Sequence, residues 1–486
     1  MNYRMIIRYL AFTLLITAAF MLPALIISLC LRETRSAMAF GVCILVLVAV
    51  CVPIAVFRPK RTVMRAREGY IITGLCWFLV SMAGAAPFVI SGCIPSFTDA
   101  LFEAASGFTT TGASILSDLD PLPKGILYWR SFSHWLGGMG VLVFLLALSP
   151  SDFNGDSLFI MRAESPGPQV SKLVPKTRQS AQILYKIYVG MTAAEILMLL
   201  LGGMEVFDAV TISFATAGTG GFAVRSSGMA SYTPYMQWVI ASFMVLFGVN
   251  FGIYYLCIMR SFKRIRRNDE MRVYLALVVL STLVITLRIL PMYQGDMAEA
   301  SRHAFFQVAS IISTTGFASA DFNVWPTVCK TILVVLMFIG ASAGSTAGGV
   351  KVSRLVILAK SLRQNMKKLL HPNTVSKVHM DGDVVSDSTV NFVFIYFAAY
   401  VFILLISLLV VSWDGLSFEA TVTGVLACLN NVGPGLGEVG PLGNYASLGV
   451  ASKICLTLDM IIGRLEIFPV LMLLLRSNWK RSRIRE

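Results

Sequence analysis

Apolar runs separated by short polar connections succeed one another along the whole chain. Many of them reach the roughly 20 residues that a helix needs to cross a bilayer. The first, Ile6 to Leu31, is too long for the apolar core of a secretory signal and lacks a small-residue cleavage site, so it reads as a retained helix. Between later runs lies another kind of stretch. Asp99 to Ala113 reads DALFEAASGFTTTGA and Asp208 to Phe222 reads DAVTISFATAGTGGF. His303 to Phe317 reads HAFFQVASIISTTGF and Ala420 to Pro434 reads ATVTGVLACLNNVGP. Aligned without gaps, they place Gly112, Gly221, Gly316 and Gly433 in one column, and the small residues Ser106, Ala215, Ser310 and Ala427 in another. Each first part predicts a helix too short to span. Each second part collects Thr, Ser, Asn and Gly, which end helices. Long apolar runs flank every copy, so the predicted unit is helix, short re-entrant helix, extended loop, helix, repeated along the chain.

Composition agrees. The 486 residues are 56% hydrophobic and 14% charged, where soluble proteins average about a quarter charged, and mean hydropathy is +0.74. The chain therefore reads as an all-α polytopic membrane protein. A net charge of +14 would suggest nucleic acid, but the cations sit in connections. Arg58, Lys60, Arg61, Arg65 and Arg67 form one cluster; Arg260, Lys263, Arg264, Arg266, Arg267 and Arg272 form another. Lys360, Arg363, Lys367 and Lys368 make a third, and Arg476, Lys480, Arg481, Arg483 and Arg485 close the chain. They fall after alternate crossings, which by the positive-inside rule predicts ten spans with both termini cytoplasmic. The nine cysteines lie mostly in or beside apolar runs without CxxC pairs, and the four histidines are scattered. Buried inert thiols fit this better than metal or disulfide chemistry, and nothing points to an enzyme.

One Gly-rich turn would be ordinary; four copies in register are not. Irregular backbone at membrane depth must line water or be buried in protein. Four such loops converging would present rings of carbonyl oxygens to an ion in place of its hydration shell. Glycine permits positive φ and leaves no side chain at the axis. The candidate ion-binding residues are Thr110, Thr111 and Gly112; Thr219, Gly220 and Gly221; Thr314, Thr315 and Gly316; and Asn431, Val432 and Gly433. Side chains just before the aligned glycines vary, as main-chain coordination allows. Oxygen ligands without a ring of carboxylates suit a monovalent cation better than Ca²⁺.

A run of small residues, Gly340, Ala341, Ser342, Ala343, Gly344, Ser345, Thr346, Ala347, Gly348 and Gly349, precedes Lys351 and interrupts an apolar helix between Thr331–Ile339 and Val350–Leu362. A close-packing face is one reading; the density of Gly, Ser and Thr favours a break. Arg464 lies deep in the final apolar run, where an ionisable residue faces a cavity or a partner such as Asp459 or Glu466. Asp99, Glu103, Asp118, Asp120, Asp208, Asp296, Glu299 and Glu419 read either as an acidic rim that gathers cations or as ordinary loop charges. GLGEVG (Gly435 to Gly440) has no βαβ context, and GSTAGGVK lacks the Walker ending, so neither is a nucleotide site.

At these residues the chain resembles the superfamily of K⁺ transporters that includes Trk, Ktr and HKT proteins, and within it the membrane subunits of bacterial Trk systems (TrkH and TrkG). SGFTTTGA, WLGGMG (Trp135 to Gly140), RAESPGP (Arg162 to Pro168), GASAGSTAGGVK (Gly340 to Lys351), LNNVGPGLG (Leu429 to Gly437) and GRLEIFPV (Gly463 to Val470) carry the resemblance over essentially the whole chain. Two extra spans before the first repeat favour Trk over Ktr. The resemblance implies four helix–pore-loop–helix repeats around one central pore, preceded by two extra transmembrane helices, in a homodimer in the bacterial inner membrane. Expected segments are 1–67 for the two extra helices, 68–180, 181–268, 269–380 and 381–486 for the repeats. It implies K⁺ as the transported ion and no cofactor or nucleic acid bound by this chain. It also implies that Gly340–Gly349 with Lys351 is an intramembrane gate, with Arg464 beside it. A cytosolic, nucleotide-binding TrkA-type subunit would touch the basic loops. Gly112 stands where sodium-preferring HKT relatives carry Ser, which favours K⁺; the alternative is a Na⁺-permeable or Na⁺/H⁺-coupled transporter. In the second copy the filter register stays open between Gly220 and Gly221. A secondary transporter with two repeats is the competitor from another class.

The charge pattern makes a direct test possible. In a cysteine-free background, a thiol placed at Asp118 should react with an impermeant reagent from outside, and one at Arg264 only from inside. Reaction of both from one side would overturn the topology.

Overall fold

The computed structural model describes residues 3–56, 66–140, 177–372 and 377–475. RAESPGP, the cations from Arg58 to Arg65 and those from Arg476 onward lie outside them. Two apolar helices, α1 (Tyr3–Cys30) and α2 (Thr34–Val56), come first and pack side by side. After them a long helix recurs: α3 (Ala66–Ser91), α6 (Thr177–Leu201), α11 (Asp269–Ile289) and α15 (Asp387–Val411). Each is followed by a short one, α4 (Phe97–Phe108), α7 (Val206–Gly218), α12 (Met297–Ile312) and α16 (Phe418–Leu429). At 12 residues, α4 and α16 extend only about 18 Å, well short of the hydrocarbon core.

The short helices begin where the sequence supplies caps. The side chain of Ser96 accepts from the backbone N–H of Asp99, Asp296 from those of Ala298 and Glu299, and Ser417 from that of Ala420. They are then wrapped by the longer helices; α4, for instance, packs against α3, α5 (Lys124–Gly138) and α17 (Val450–Arg464). Trp129 of α5 stands edge-on to Phe108 at 5.8 Å and to Phe40 at 6.3 Å, and its indole N–H donates to the Gly84 carbonyl.

The sequence predicts ten spans, one of them interrupted between Ile339 and Val350. Among the described residues, six continuous helices are long and apolar enough to cross a membrane: α1, α2, α3, α6, α11 and α15. The difference lies in the helices that follow each short helix. Helix α8 (Pro234–Phe247) turns by 91° into α9 (Phe251–Ile258), at a break where the Asn250 side chain caps the new helix through Gly252 N–H. Helix α13 (Thr327–Ile339) stops before a non-helical segment and resumes as α14 (Val352–Leu370). Helix α17 stops at Arg464 and α18 (Phe468–Leu474) begins after Glu466 and Ile467, both at positive φ. Besides short 3-10 turns, the remaining described elements are the short α10 (Phe262–Arg266) and a hairpin of β1 (His379–Met380) and β2 (Asp383–Val384). Asp381 and Gly382, both at positive φ, make its two-residue turn. Apolar composition alone does not distinguish a continuous helix from two collinear or bent pieces, so the breaks between α8 and α9 and between α17 and α18 do not show in the apolar pattern.

Candidate functional site

All four short helices end in the same way. The residue five after the small one returns its N–H to that residue's carbonyl: Thr111 to Ser106 (2.9 Å), Gly220 to Ala215 (2.8 Å), Thr315 to Ser310 (2.8 Å) and Val432 to Ala427 (2.8 Å). The preceding N–H closes a tighter bond, from Thr110, Thr219, Thr314 and Asn431 to Gly107, Thr216, Ile311 and Cys428. This paired closure is a Schellman cap, and it demands a left-handed residue. Thr110, Thr219, Thr314 and Asn431 supply it at φ of 56°, 56°, 57° and 55°.

Two residues later Gly112, Gly221, Gly316 and Gly433 again have positive φ, at 82°, 76°, 84° and 98°. Here the backbone leaves no choice, because each glycine abuts the next loop. A Cβ on Gly112 would stand 2.0 Å from the Gly220 carbonyl oxygen, and one on Gly221 1.9 Å from that of Thr315. One on Gly316 would stand 2.1 Å from that of Val432, and one on Gly433 2.6 Å from that of Thr111. The contacts run from the first loop to the second, third and fourth and back to the first. All twelve expected filter residues are therefore brought together in a closed ring. The register of the second loop is settled: Thr219 and Gly221 take the conformations of Thr110 and Gly112. Gly218 and Gly220 are glycine for a separate reason, since a Cβ there would strike the backbone and the ring of His134 at 2.2 and 2.1 Å. A cavity of about 260 Å³ opens onto all four glycines.

Braces hold the ring from behind, and the sequence reading missed them. His134 Nδ1 lies 2.8 Å from the Gly107 carbonyl, while Phe222 N–H donates to Nε2. Tyr445 donates to the Gly433 carbonyl at 2.7 Å. Asn431 Nδ2 donates to Thr111 Oγ1 and to the Met460 carbonyl. Arg130 and Glu103, 1% and 0% exposed, form an ion pair at 2.7 Å. Glu103 also accepts from the Ser114 hydroxyl and from Ile115 N–H, and the guanidinium lies 4.1 Å over the Phe222 ring. An Arg inside an otherwise apolar stretch was the available signal.

Other acidic residues of this side also have partners. Glu103 is buried, and Asp208 is nearly so, held by Arg225 at 2.6 Å and by the Tyr232 hydroxyl. Asp99 pairs with Lys453 and Glu419 with Lys330. Asp296 caps α12, and the Ser226 hydroxyl on Asp118 holds that carboxyl below its usual value. These six carboxylates each hold a hydrogen bond or ion pair within the fold.

No helix covers residues 340–351. Gly340 and Gly349 touch at the neck of this loop, where a Cβ on Gly349 would meet Gly340 Cα at 2.8 Å. The loop lies against the ring on the side away from the glycines: Gly348 N–H donates to Thr314 Oγ1 at 2.7 Å, and a Cβ there would meet the Asn430 carbonyl at 2.4 Å. It is also tied to the α8–α9 break, through Ser342 N–H to the Gly248 carbonyl and Phe251 N–H to that of Gly344. Lys351, at φ 79°, donates to the Ala347 carbonyl. Arg464 donates to the Thr346 carbonyl at 2.6 Å, and to the carbonyls of Gly137 and Gly138 at the end of α5. Of the partners considered for it, Glu466 forms a buried ion pair with Arg354 and Asp459 accepts from Ser407.

Removing one half of the Arg130–Glu103 pair should be costly. Arg130→Met should lower stability by about 3–5 kcal/mol, read as a fall in melting temperature of the purified protein in detergent. Adding Glu103→Leu should recover most of the loss, and no recovery would show that the arginine acts through packing alone.

The family profile described as "TrkH: Cation transport protein" matches residues 34–481. The Trk system potassium uptake protein TrkH of Escherichia coli K12 is 36% identical over 87% of this chain and 88% of its own length. That of Halomonas elongata is 32% identical over 99% of this chain and 100% of its own. The crystal structure of the potassium transporter TrkH from Vibrio parahaemolyticus superposes with a TM-score of 0.87 at 31% identity, over 99% of this chain and 100% of that one. With its apolar helices, the chain is a multi-pass membrane protein, and it belongs to the TrkH family of cation transport proteins.

Proposed function

We propose that this chain takes up K⁺ across the bacterial inner membrane through the ring of four loops, working as a homodimer with both termini cytoplasmic. One observation carries the reading: the carbonyls of Thr111, Gly220, Thr315 and Val432 each abut the aligned glycine of the neighbouring loop, in cyclic order. The four repeats thus surround one pore, and the carbonyls replace the hydration shell of a passing ion. Four short helices point their C-terminal ends toward the same place, and each such end carries about half a negative charge that favours a cation. The names of the relatives, Trk system potassium uptake proteins, favour K⁺ as that cation.

The loop 340–351 is the gate on this reading. It sits under the filter on Gly348, and small side chains let it block hydrated ions while remaining easy to displace. Arg464 holds it by donating to Thr346 and opposes cations by its charge. A cytosolic nucleotide-binding subunit of the TrkA type opens the pore by pulling on α14.

Flux into proteoliposomes under separate K⁺ and Na⁺ gradients tests the function; equal rates for both ions would overturn the K⁺ assignment. Gly112→Ser forces a side chain toward the Gly220 carbonyl at a left-handed position, a disturbance of about 1–2 kcal/mol. It should reduce K⁺ over Na⁺ discrimination about tenfold, and unchanged selectivity in a well-folded variant would count against this residue.

The gate makes its own prediction. Arg464→Ala, or removal of residues 345–347, should raise basal K⁺ flux in the absence of the cytosolic subunit, at matched incorporation. If both remain as closed as the parent, the loop is packing and not a gate.

A further inference from the structure

Three consecutive residues at the start of α11 hold parts of the chain that are far apart in sequence. Glu270, 3% exposed, accepts on one carboxylate oxygen from Ala343 N–H at 2.6 Å and from Ser353 N–H at 3.1 Å. The first donor lies in the intramembrane loop. The second lies in the first turn of α14, immediately after it. One carboxylate thus pins both sides of the loop, at a helix N-terminus where negative charge is favoured.

Its neighbours reach the other way. Asp269 N–H donates to Asp381 Oδ1 at 2.8 Å, and Asn268 Nδ2 donates to Asp381 Oδ2 at 3.0 Å. Asp381 N–H donates back to Asp269 Oδ2. Asp269 also takes Lys360 of α14 at 2.6 Å, and the same ammonium donates to the His379 carbonyl of β1. Asp381 is the left-handed turn residue of the hairpin. The hairpin is seated by Met380, 2% exposed, against Ile357 of α14 and Val393 of α15. A shift of the hairpin therefore pulls on Asn268 and Asp269, one residue from the group that holds the loop.

We propose that Asn268, Asp269 and Glu270 form a coupling clamp. Through it, displacement of the β1–β2 hairpin by a protein bound on that side loosens the loop. Glu270 is its positioning residue and Asp381 its input. The proposal rests on the reading of residues 340–351 as a gate. Gripping both flanks of the loop from one oxygen gives the clamp an all-or-none character: when α11 rotates or slides at its first turn, both bonds lengthen together. Arg464 restrains the loop at Thr346, away from Ala343 and Ser353, so the two restraints act at separate points.

The test uses the full chain in proteoliposomes without a cytosolic subunit and has two readouts, basal Rb⁺ flux and the rate of thiol labelling at Ser345→Cys in a cysteine-free background. Glu270→Ala should raise both about tenfold, the scale expected for two lost charge-assisted hydrogen bonds. Glu270→Gln keeps an acceptor oxygen and should stay within about twofold of the parent. Asp381→Ala, which leaves the loop contacts untouched, should raise both readouts in the same direction. Combined with Glu270→Ala it should add little, since the two lie on one path. Parental labelling in both Ala variants overturns the clamp, and Asp381→Ala decides the matter alone should Glu270→Ala fail to fold. Raised labelling with unchanged flux, together with no flux effect of removing residues 345–347, sinks the gate reading and leaves the coupling standing.

Discussion

A bilayer core offers no water to backbone that leaves a helix, so every N–H and C=O released at that depth needs a partner within the protein. The four short helices meet this constraint with one device, the double closure onto Ser106, Ala215, Ser310 and Ala427. The closure consumes the carbonyls behind it and turns the chain, so that the next carbonyls are directed away from the helix and toward the neighbouring loop. Positive φ at Gly112, Gly221, Gly316 and Gly433 then lets each strand pass without a side chain between it and the next. The ring is thus a consequence of how four helices are capped, with the glycine column as its steric condition. Its braces are polar because only directional bonds fix carbonyls to tenths of an ångström; Tyr445 on the Gly433 carbonyl and His134 between Gly107 and Phe222 do this from behind.

The loop 340–351 solves the same problem by borrowing donors and acceptors. Its carbonyls at Thr346 and Ala347 are taken by Arg464 and Lys351, and its N–H groups at Ala343 and Gly348 by Glu270 and Thr314. Every one of these partners except Lys351 belongs to another element. Bonds within the loop, from Ser345 to the Ser342 carbonyl and from Ala347 N–H to Ser345 Oγ, are local, so its placement against the ring depends on the partners outside. Bulky side chains would have packed it in place; small ones leave the polar contacts to decide.

How far the sequence reveals this depends on whether a property is local. The glycine column, the short helices and the break after Ile339 follow from residue type and spacing; the structure has helix over the four short segments and non-helical backbone at the glycines and after Ile339. The breaks at Asn250 and at Glu466–Ile467 were not legible, because both sides stay apolar and the turn is set by a cap in one case and by left-handed backbone in the other. The acidic residues were left between two readings for a related reason. Glu103 looks like a loop carboxylate until the fold brings Arg130 to it, and Asp208 until it meets Arg225 and Tyr232. Glu270 was hidden in a basic connection whose charge pattern spoke only of orientation.

The left-handed residues ahead of the glycines carry the last step. Glycine would fit the Schellman position more cheaply, since a Cβ there costs roughly 1–2 kcal/mol, yet Thr110, Thr219, Thr314 and Asn431 stand in all four. Strain of this kind persists where the side chain is needed. Thr314 takes the Gly348 N–H of the loop, and Asn431 binds Thr111 and Met460, joining the fourth loop to the first. Thr219 turns its hydroxyl onto its own helix end, while the Thr110 hydroxyl is buried without a protein partner. The loop therefore engages the ring unevenly, on the third and fourth loops. Arg464 completes the closure by reaching from the last helix to Thr346 and across to Gly137 and Gly138 on the first repeat's side. With the bonds to Gly248 and Phe251 at the α8–α9 break, the contacts draw on all four repeats. Contacts so linked constrain one another's geometry, and on the gate reading proposed above a displacement of α14 or α11 shifts the loop as one unit.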